Sequence, residues 1–253
     1  MALNQVPVVL ITGATQGVGY SLAQILSQSK NPYHVLVGAR NAERGAEAVS
    51  KLNATKTNSD STVSVIEIDV CSDSSIQAAA DKVSKDHGRL DILVNNAGVV
   101  WGENQSTSKR EDWQTIFNTN VFGPLQTTTV FTPLLQKSSD AKLVVVSTSM
   151  GSIGVTESLP PHPLGLGMAP YSASKAAVNL LLVQWSKSLE GVRVWGIDPG
   201  LCATNFGGSF TLDNGRDAKE GADIVRQCIE GERDDFVGKV VFDEGGKSGA
   251  RPW

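Results

Sequence analysis

Short β-branched runs alternate with longer helix-patterned segments along this chain, and no other feature constrains its fold as much. The strand-like runs are VPVVLIT (6–12), HVLVGA (34–39), VSVIEID (63–69), DILVNN (91–96), KLVVVST (142–148), VRVWGID (192–198) and GKVVFD (238–243). Most are apolar at nearly every position rather than at every second one, which predicts strands buried on both faces. Helix-patterned segments lie between them, over 17–30, 42–53, 74–87, 108–136, 171–189 and 217–230. This repetition predicts an α/β fold: a single domain built on a doubly wound parallel sheet. The length of 253 residues suits one such domain. Ligands of these sheets bind beyond the carboxyl ends of the strands, where TGATQG, NNAG, STSMG and DPGLCAT all fall.

Composition narrows the function. A net charge of −4 and a pI near 5.4 give no electrostatic case for nucleic acid or an anionic membrane as partner. The apolar run at the N-terminus is cut by Pro7 and glycines and lacks a basic flank, so it reads as a first strand rather than a signal peptide. No stretch has the length needed to cross a bilayer. Cys71, Cys202 and Cys228 are an odd, scattered set without metal-ligand spacing. The expectation is a cytoplasmic protein with no metal site and no disulfide framework.

TGATQGVG places Gly13, Gly17 and Gly19, with Thr15, Gln16 and Val18 between them, at the junction of the first strand and first helix. Glycines there allow a tight turn and bring backbone N–H groups close to a pyrophosphate, which the helix N-terminus favours. An acidic residue ending the second strand would hold the adenosine ribose hydroxyls, but VLVGARN offers Arg40 instead. An arginine there suits the 2′-phosphate of NADP(H), although NAD(H) stays possible and a solvated surface arginine is the plainer alternative. Asp69, followed by Val70, ends the third strand, where it can accept from an adenine amino group or merely cap the next turn.

YSASK sets Tyr171 and Lys175 four apart at the start of a helical pattern, so both share one face. A phenol with a pKa of about 10 donates poorly at neutral pH, and a neighbouring ammonium is expected to lower that value. Taken alone, such a pair is also a common surface feature.

The motifs together resemble the short-chain dehydrogenase/reductase family over nearly the whole chain. They are TGATQGVG (12–19), NNAG (95–98), NTNVFG (118–123), the hydroxyl-rich strand end, YSASK (171–175) and DPGLCAT (198–204). The long segment before Tyr171 and the C-terminal VVFDEGGKSGARPW are most similar to the carbonyl-reductase-like branch. The resemblance implies a Rossmann fold and hydride transfer between NADP(H) and a small-molecule carbonyl/alcohol pair. Tyr171 would protonate the carbonyl oxygen, and Lys175 would tune it and bind the nicotinamide ribose. Asn120 would hold a water in a proton relay, its alternative being a helix-distorting or capping role. Asn95, Ala97 and Gly98 would line the cofactor, while Pro199, Gly200 and Thr204 would hold the carboxamide.

The chain departs from the family at the serine that bonds the substrate carbonyl. Register puts Thr148 on that position, residue type favours Ser149, and both remain candidates. The gap from Thr148 to Tyr171 is longer than in relatives, giving an insertion at about 152–170 that contains LPPHPLGLGMAP. His162 within it can face substrate or solvent. Residues 205–221 occupy the family's substrate-lid position, or are a plain surface connection. Val99, Val100 and Trp101 can wall an apolar pocket or simply pack. A monomer or a homo-oligomer fits equally. The competing functions are an NAD-dependent alcohol dehydrogenase and a catalytically silent dinucleotide sensor on the same fold.

Overall fold

The computed structural model describes residues 6–101, 109–160 and 165–253, with the side chains of 165 and 166 left aside. Eight strands form one sheet in the order β3-β2-β1-β4-β5-β6-β7-β8. They are β1 (Val8–Ile11), β2 (His34–Ala39), β3 (Thr62–Glu67), β4 (Ile92–Asn95), β5 (Ala141–Val146), β6 (Val192–Asp198), β7 (Val240–Glu244) and β8 (Lys247–Ala250). Every pairing is parallel except β7 with β8, which is antiparallel. The sequence runs did not include β8, because KSGA carries no apolar pattern.

Alternation along each strand sends side chains to two separate cores. Val9, Ile11, Val35, Val37, Val94, Val144 and Trp195 pack with α1 (Gly17–Gln28), α2 (Ala42–Thr55) and α9 (Ala218–Ile229). Leu10, Leu36, Leu93, Leu143 and Val145 pack on the other face with α3 (Asp73–His87), α5 (Gly123–Leu135) and α7 (Ala169–Ser188). Burial on both faces explains the unbroken apolar runs. The chain winds outward from β1 in both directions, so the strand order reverses between β1 and β4 and opens a crevice there.

The segment expected as one helix over 108–136 is interrupted. The helix α4 (Arg110–Phe117) passes through a π-helical turn at Asn118–Phe122 before α5 begins. Pro124 has no N–H, so the Asn120 carbonyl four residues earlier loses its α-helical donor. The ladder shifts, and Gly123 N–H donates to the carbonyl of Asn118, five residues back. Two short helices also lie within the insertion and the lid segment, α6 (Ile153–Ser158) and α8 (Ser209–Asn214). His162 lies outside the described residues, and no helix among those described is long and apolar enough to cross a membrane.

Phe131 is fully buried between α5 and the sheet. Its replacement by alanine should cost about 3–5 kcal/mol of stability, read as a lower urea midpoint at unchanged slope.

Candidate active site

At the β1–α1 junction the backbone turns through Gly13 at φ +64°, and a Cβ there would lie 2.9 Å from the Ala97 Cα. Only glycine meets both demands. Gln16 precedes α1 without capping it, and the first turn holds no acidic residue, so its N–H groups keep their partial positive charge. Thr15 is half-buried and Gln16 exposed, whereas Val18 is half-buried with its side chain against the core. Gly17 and Gly19 complete the turn: Thr204 lies over Gly17, and the Asn96 amide is packed against Gly19.

Thr12 and Asn96, both absent from the sequence-derived set, lace this loop to NNAG. The Thr12 hydroxyl accepts from the N–H groups of Asn96 and Ala97 at 3.0 Å each. Asn96 Nδ2 donates to the carbonyls of Thr12 at 2.8 Å and Gly13 at 3.1 Å. Asn95 is buried, and its side chain donates to the Thr128 hydroxyl at 2.9 Å and joins β4 to α5.

Arg40 stands exposed at the end of β2 with no ion-pair partner among the described residues. Asp69 accepts from Cys71 N–H through Oδ1 at 3.0 Å, which makes the turn-capping alternative real while leaving Oδ2 without a hydrogen bond among the described residues. Val70 lies beside it against Gly123 at the start of α5. A glycine turn without side chains, an uncapped helix start and an exposed guanidinium are what a phosphorylated dinucleotide needs.

On the other side of the crevice, α7 carries Tyr171, Lys175 and Asn179 at four-residue spacing, all buried. Lys175 Nζ donates to the Val146 carbonyl at 2.7 Å and lies 5.8 Å from the Tyr171 ring centroid. Burial lowers the Lys175 pKa to about 8. The Tyr171 phenol is pushed up, first by burial and then by the negative charge of Asp198, opposite to the expected lowering. Spacing revealed the partnership of these two residues but not the dry surroundings that set the sign.

Asn179, unrecognised in the sequence although it continues the Tyr171–Lys175 stripe, clamps the strand end after β5. Its Oδ1 accepts from the Ser147 hydroxyl at 2.6 Å, and its Nδ2 donates to the Gly151 carbonyl at 3.1 Å. Gly151 allows this turn to press on α7, since a Cβ there would meet Lys175 backbone at 2.8 Å. Thr148 Oγ1 accepts from Met150 N–H at 3.3 Å and caps the turn. The Ser149 hydroxyl makes no hydrogen bond among the described residues, but its N–H donates to Asp198 at 3.0 Å.

Asn120, buried in the π-helical turn, spends its side chain on structure. Oδ1 accepts from Val99 N–H at 2.8 Å, while Nδ2 donates to the Val99 carbonyl at 2.8 Å and to the Ser174 hydroxyl at 3.1 Å. One side chain thus fastens the loop after NNAG to α7. Val100 is buried and Val99 and Trp101 are half-buried there. Opposite, Gly200 N–H donates to Asp198 at 3.1 Å, and the Pro199 carbonyl accepts from Arg216. Phe206, just past Thr204, sets its ring edge-on to Tyr171 with centroids 5.9 Å apart. No group of metal-ligating side chains occurs among the described residues.

The short chain dehydrogenase family profile matches residues 7–215. The chain belongs to the short-chain dehydrogenase/reductase family. It is 40% identical to the short-chain dehydrogenase anuI of Penicillium roqueforti over 96% of this chain and 97% of that one. It is 33% identical to the short-chain dehydrogenase/reductase tropE of Talaromyces stipitatus, over 97% and 98% of the two chains. Among solved structures, the NADPH-bound carbonyl reductase from chicken fatty liver superposes with a TM-score of 0.81 at 25% identity, covering 98% of this chain and all of that one. The chain is therefore an oxidoreductase of this family, with a single-domain Rossmann fold.

Replacing Asn120 with alanine strands the Val99 N–H and carbonyl. The variant should lose about 1–3 kcal/mol of stability, measurable by chemical denaturation.

Proposed function

We propose that the protein is an NADP(H)-dependent reductase of ketones or aldehydes, of the carbonyl-reductase-like branch, with Tyr171 as proton donor. The reading rests on one observation: the dinucleotide-suited glycine turn and the buried Tyr171–Lys175 pair flank the same crevice at the strand ends. The NADPH-bound state of the chicken carbonyl reductase supports the choice of cofactor.

Gly13, Thr15, Gln16, Gly17, Val18 and Gly19 would hold the pyrophosphate through backbone groups, with Arg40 on the 2′-phosphate and Asp69 and Val70 beside the adenine. Ala97, Gly98, Pro199, Gly200 and Thr204 would surround the nicotinamide half. When bound, the reduced nicotinamide supplies the hydride. A phenol held strongly protonated suits the donor role, because it gives up its proton only as negative charge develops on the carbonyl oxygen. Lys175 would stabilise the resulting phenolate and bind the ribose. The carbonyl of Asn120, deprived of its helical donor by Pro124, is suited to hold a relay water. Thr148 is assigned as the carbonyl donor on its register, since its cap bond uses the oxygen as acceptor and leaves the proton to give. Residues 205–221 would act as a lid, pinched at its base where Ala203 N–H donates to Arg216 and Arg216 N–H to Leu201. A small-molecule substrate in the cytoplasm is the setting.

Tyr171→Phe should bind NADPH normally, followed by its fluorescence, yet lose at least about a thousandfold in turnover. Thr148→Val should lose about a hundredfold and Ser149→Ala far less, and the reverse ranking would transfer the role. Arg40→Ala should weaken NADPH about tenfold or more and leave NADH affinity unchanged, whereas equal NADPH affinity sinks the 2′-phosphate assignment. The kcat/KM for NADPH should fall as pH rises through about 8, because Lys175 loses its charge there.

A further inference from the structure

We propose that Arg251 is a positioning residue of the active site, fixing the hydroxyl-bearing turn through Asp198 and screening Tyr171 from that carboxylate. Asp198 is 2% exposed at the end of β6 and ties two loops together, accepting from Ser149 N–H at 3.0 Å and Gly200 N–H at 3.1 Å. A buried carboxylate holding backbone groups in place needs a counter-charge, and Arg251 Nε provides it at 2.7 Å. The guanidinium is itself held firmly. It lies 3.8 Å from the centroid of the Phe242 ring and donates to Glu244 through Nη2 at 2.9 Å.

The residues after Arg251 continue the attachment. The Pro252 carbonyl accepts from the Ser152 hydroxyl at 2.5 Å, and the Trp253 carbonyl accepts from Gly154 N–H at 2.8 Å. Segment 251–253 is thereby stitched to both ends of the turn that carries Thr148 and Ser149, and to the start of α6. Ser152 and Gly154, which hold this segment, lie outside the family motifs, whereas Asp198 lies within one.

Charge gives the pair a second effect. Lys175 on α7 and Asp198 on β6 are the charged groups acting on Tyr171. Around Asp198 stand Arg251, then Glu244 on β7 beyond it, with Arg216 on the Pro199 carbonyl and Glu220 3.8 Å from Arg216. Removing Arg251 exposes Tyr171 and Lys175 to an unscreened carboxylate, which favours the protonated form of both. The alkaline limb of activity must then move to higher pH.

The kinetic part rests on the reductase reading, and the structural part does not. Arg251→Met, Arg251→Lys and the double variant D198N/R251M are compared with the wild type by hydrogen–deuterium exchange of the peptide spanning 147–155. The pH profile of kcat/KM is measured with NADPH and 9,10-phenanthrenequinone as probe substrate, with NADPH binding followed by fluorescence. In Arg251→Met the peptide should exchange at least about tenfold faster while β1 is unchanged, and the alkaline limb should rise by about one pH unit. Arg251→Lys should recover both in part. D198N/R251M, which leaves no buried unpaired charge and so folds even where Arg251→Met does not, should keep the loose turn but return the limb to the wild-type position or below. Wild-type exchange at 147–155 in both Arg251→Met and D198N/R251M, or in the double variant where it alone folds, overturns the positioning role. An unmoved limb in Arg251→Met overturns the screening role. A wild-type protein that binds NADPH but reduces no carbonyl counts against the reductase reading, and the exchange data still decide whether Arg251 holds the turn.

Discussion

Burial of a parallel sheet on both faces is the constraint on which this structure depends. Strands with no solvent face carry few polar groups along their length, so chemistry is displaced to their ends. Because seven of the eight strands run in one direction, their carboxyl ends collect along one edge. The glycine turn, NNAG, the hydroxyl turn and Asp198–Gly200 are brought together by sheet order rather than by any attraction among themselves. Apolar burial is strong but non-directional. It can deliver these loops to one place without fixing any atom in them.

The fixing is done by a few asparagines and one aspartate. An asparagine side chain donates and accepts at once, so Asn120 can satisfy both the N–H and the carbonyl of Val99. Asn179 does the same between Ser147 and Gly151, and Asn96 donates to two carbonyls of the glycine turn. Each links two segments distant in sequence, and each would leave buried polar groups unpaired if lost. Asp198 differs because its two N–H partners are both donors, which a carboxylate alone serves well. The consequence is a buried negative charge acting on Tyr171, with Arg251 as its counter-charge.

The architecture was legible because it is written in local pattern. Apolar runs located all strands but β8, whose KSGA pairs only because β7 lies alongside it. The glycines and the Tyr171–Lys175 spacing were legible for the same reason, each being a short-range motif. The bond from Asn95 to Thr128 was not legible, because an asparagine at a strand end looks the same whatever its partner. The π-helical turn had a readable cause in Pro124, but helical periodicity on either side concealed it. Arg251 could not be read at all: its partner lies far back in the chain, and only the β7–β8 reversal brings the two together.

The pKa of Tyr171 was the instructive miss. Sequence offered one neighbour, the Lys175 ammonium, and so one direction. The fold adds burial, which acts on both members in opposite senses, raising the phenol and lowering the amine to about 8. Burial therefore drives each toward its neutral form and weakens the very pairing that spacing suggests. A proton donor gains from this, since a neutral phenol is the reactant form in carbonyl reduction. In the opposite direction, alcohol oxidation needs the phenolate, and the same burial opposes it. In the reductase proposed above, the dry surroundings of Tyr171, closed on one side by the edge of Phe206, would therefore favour reduction before any substrate contact is considered.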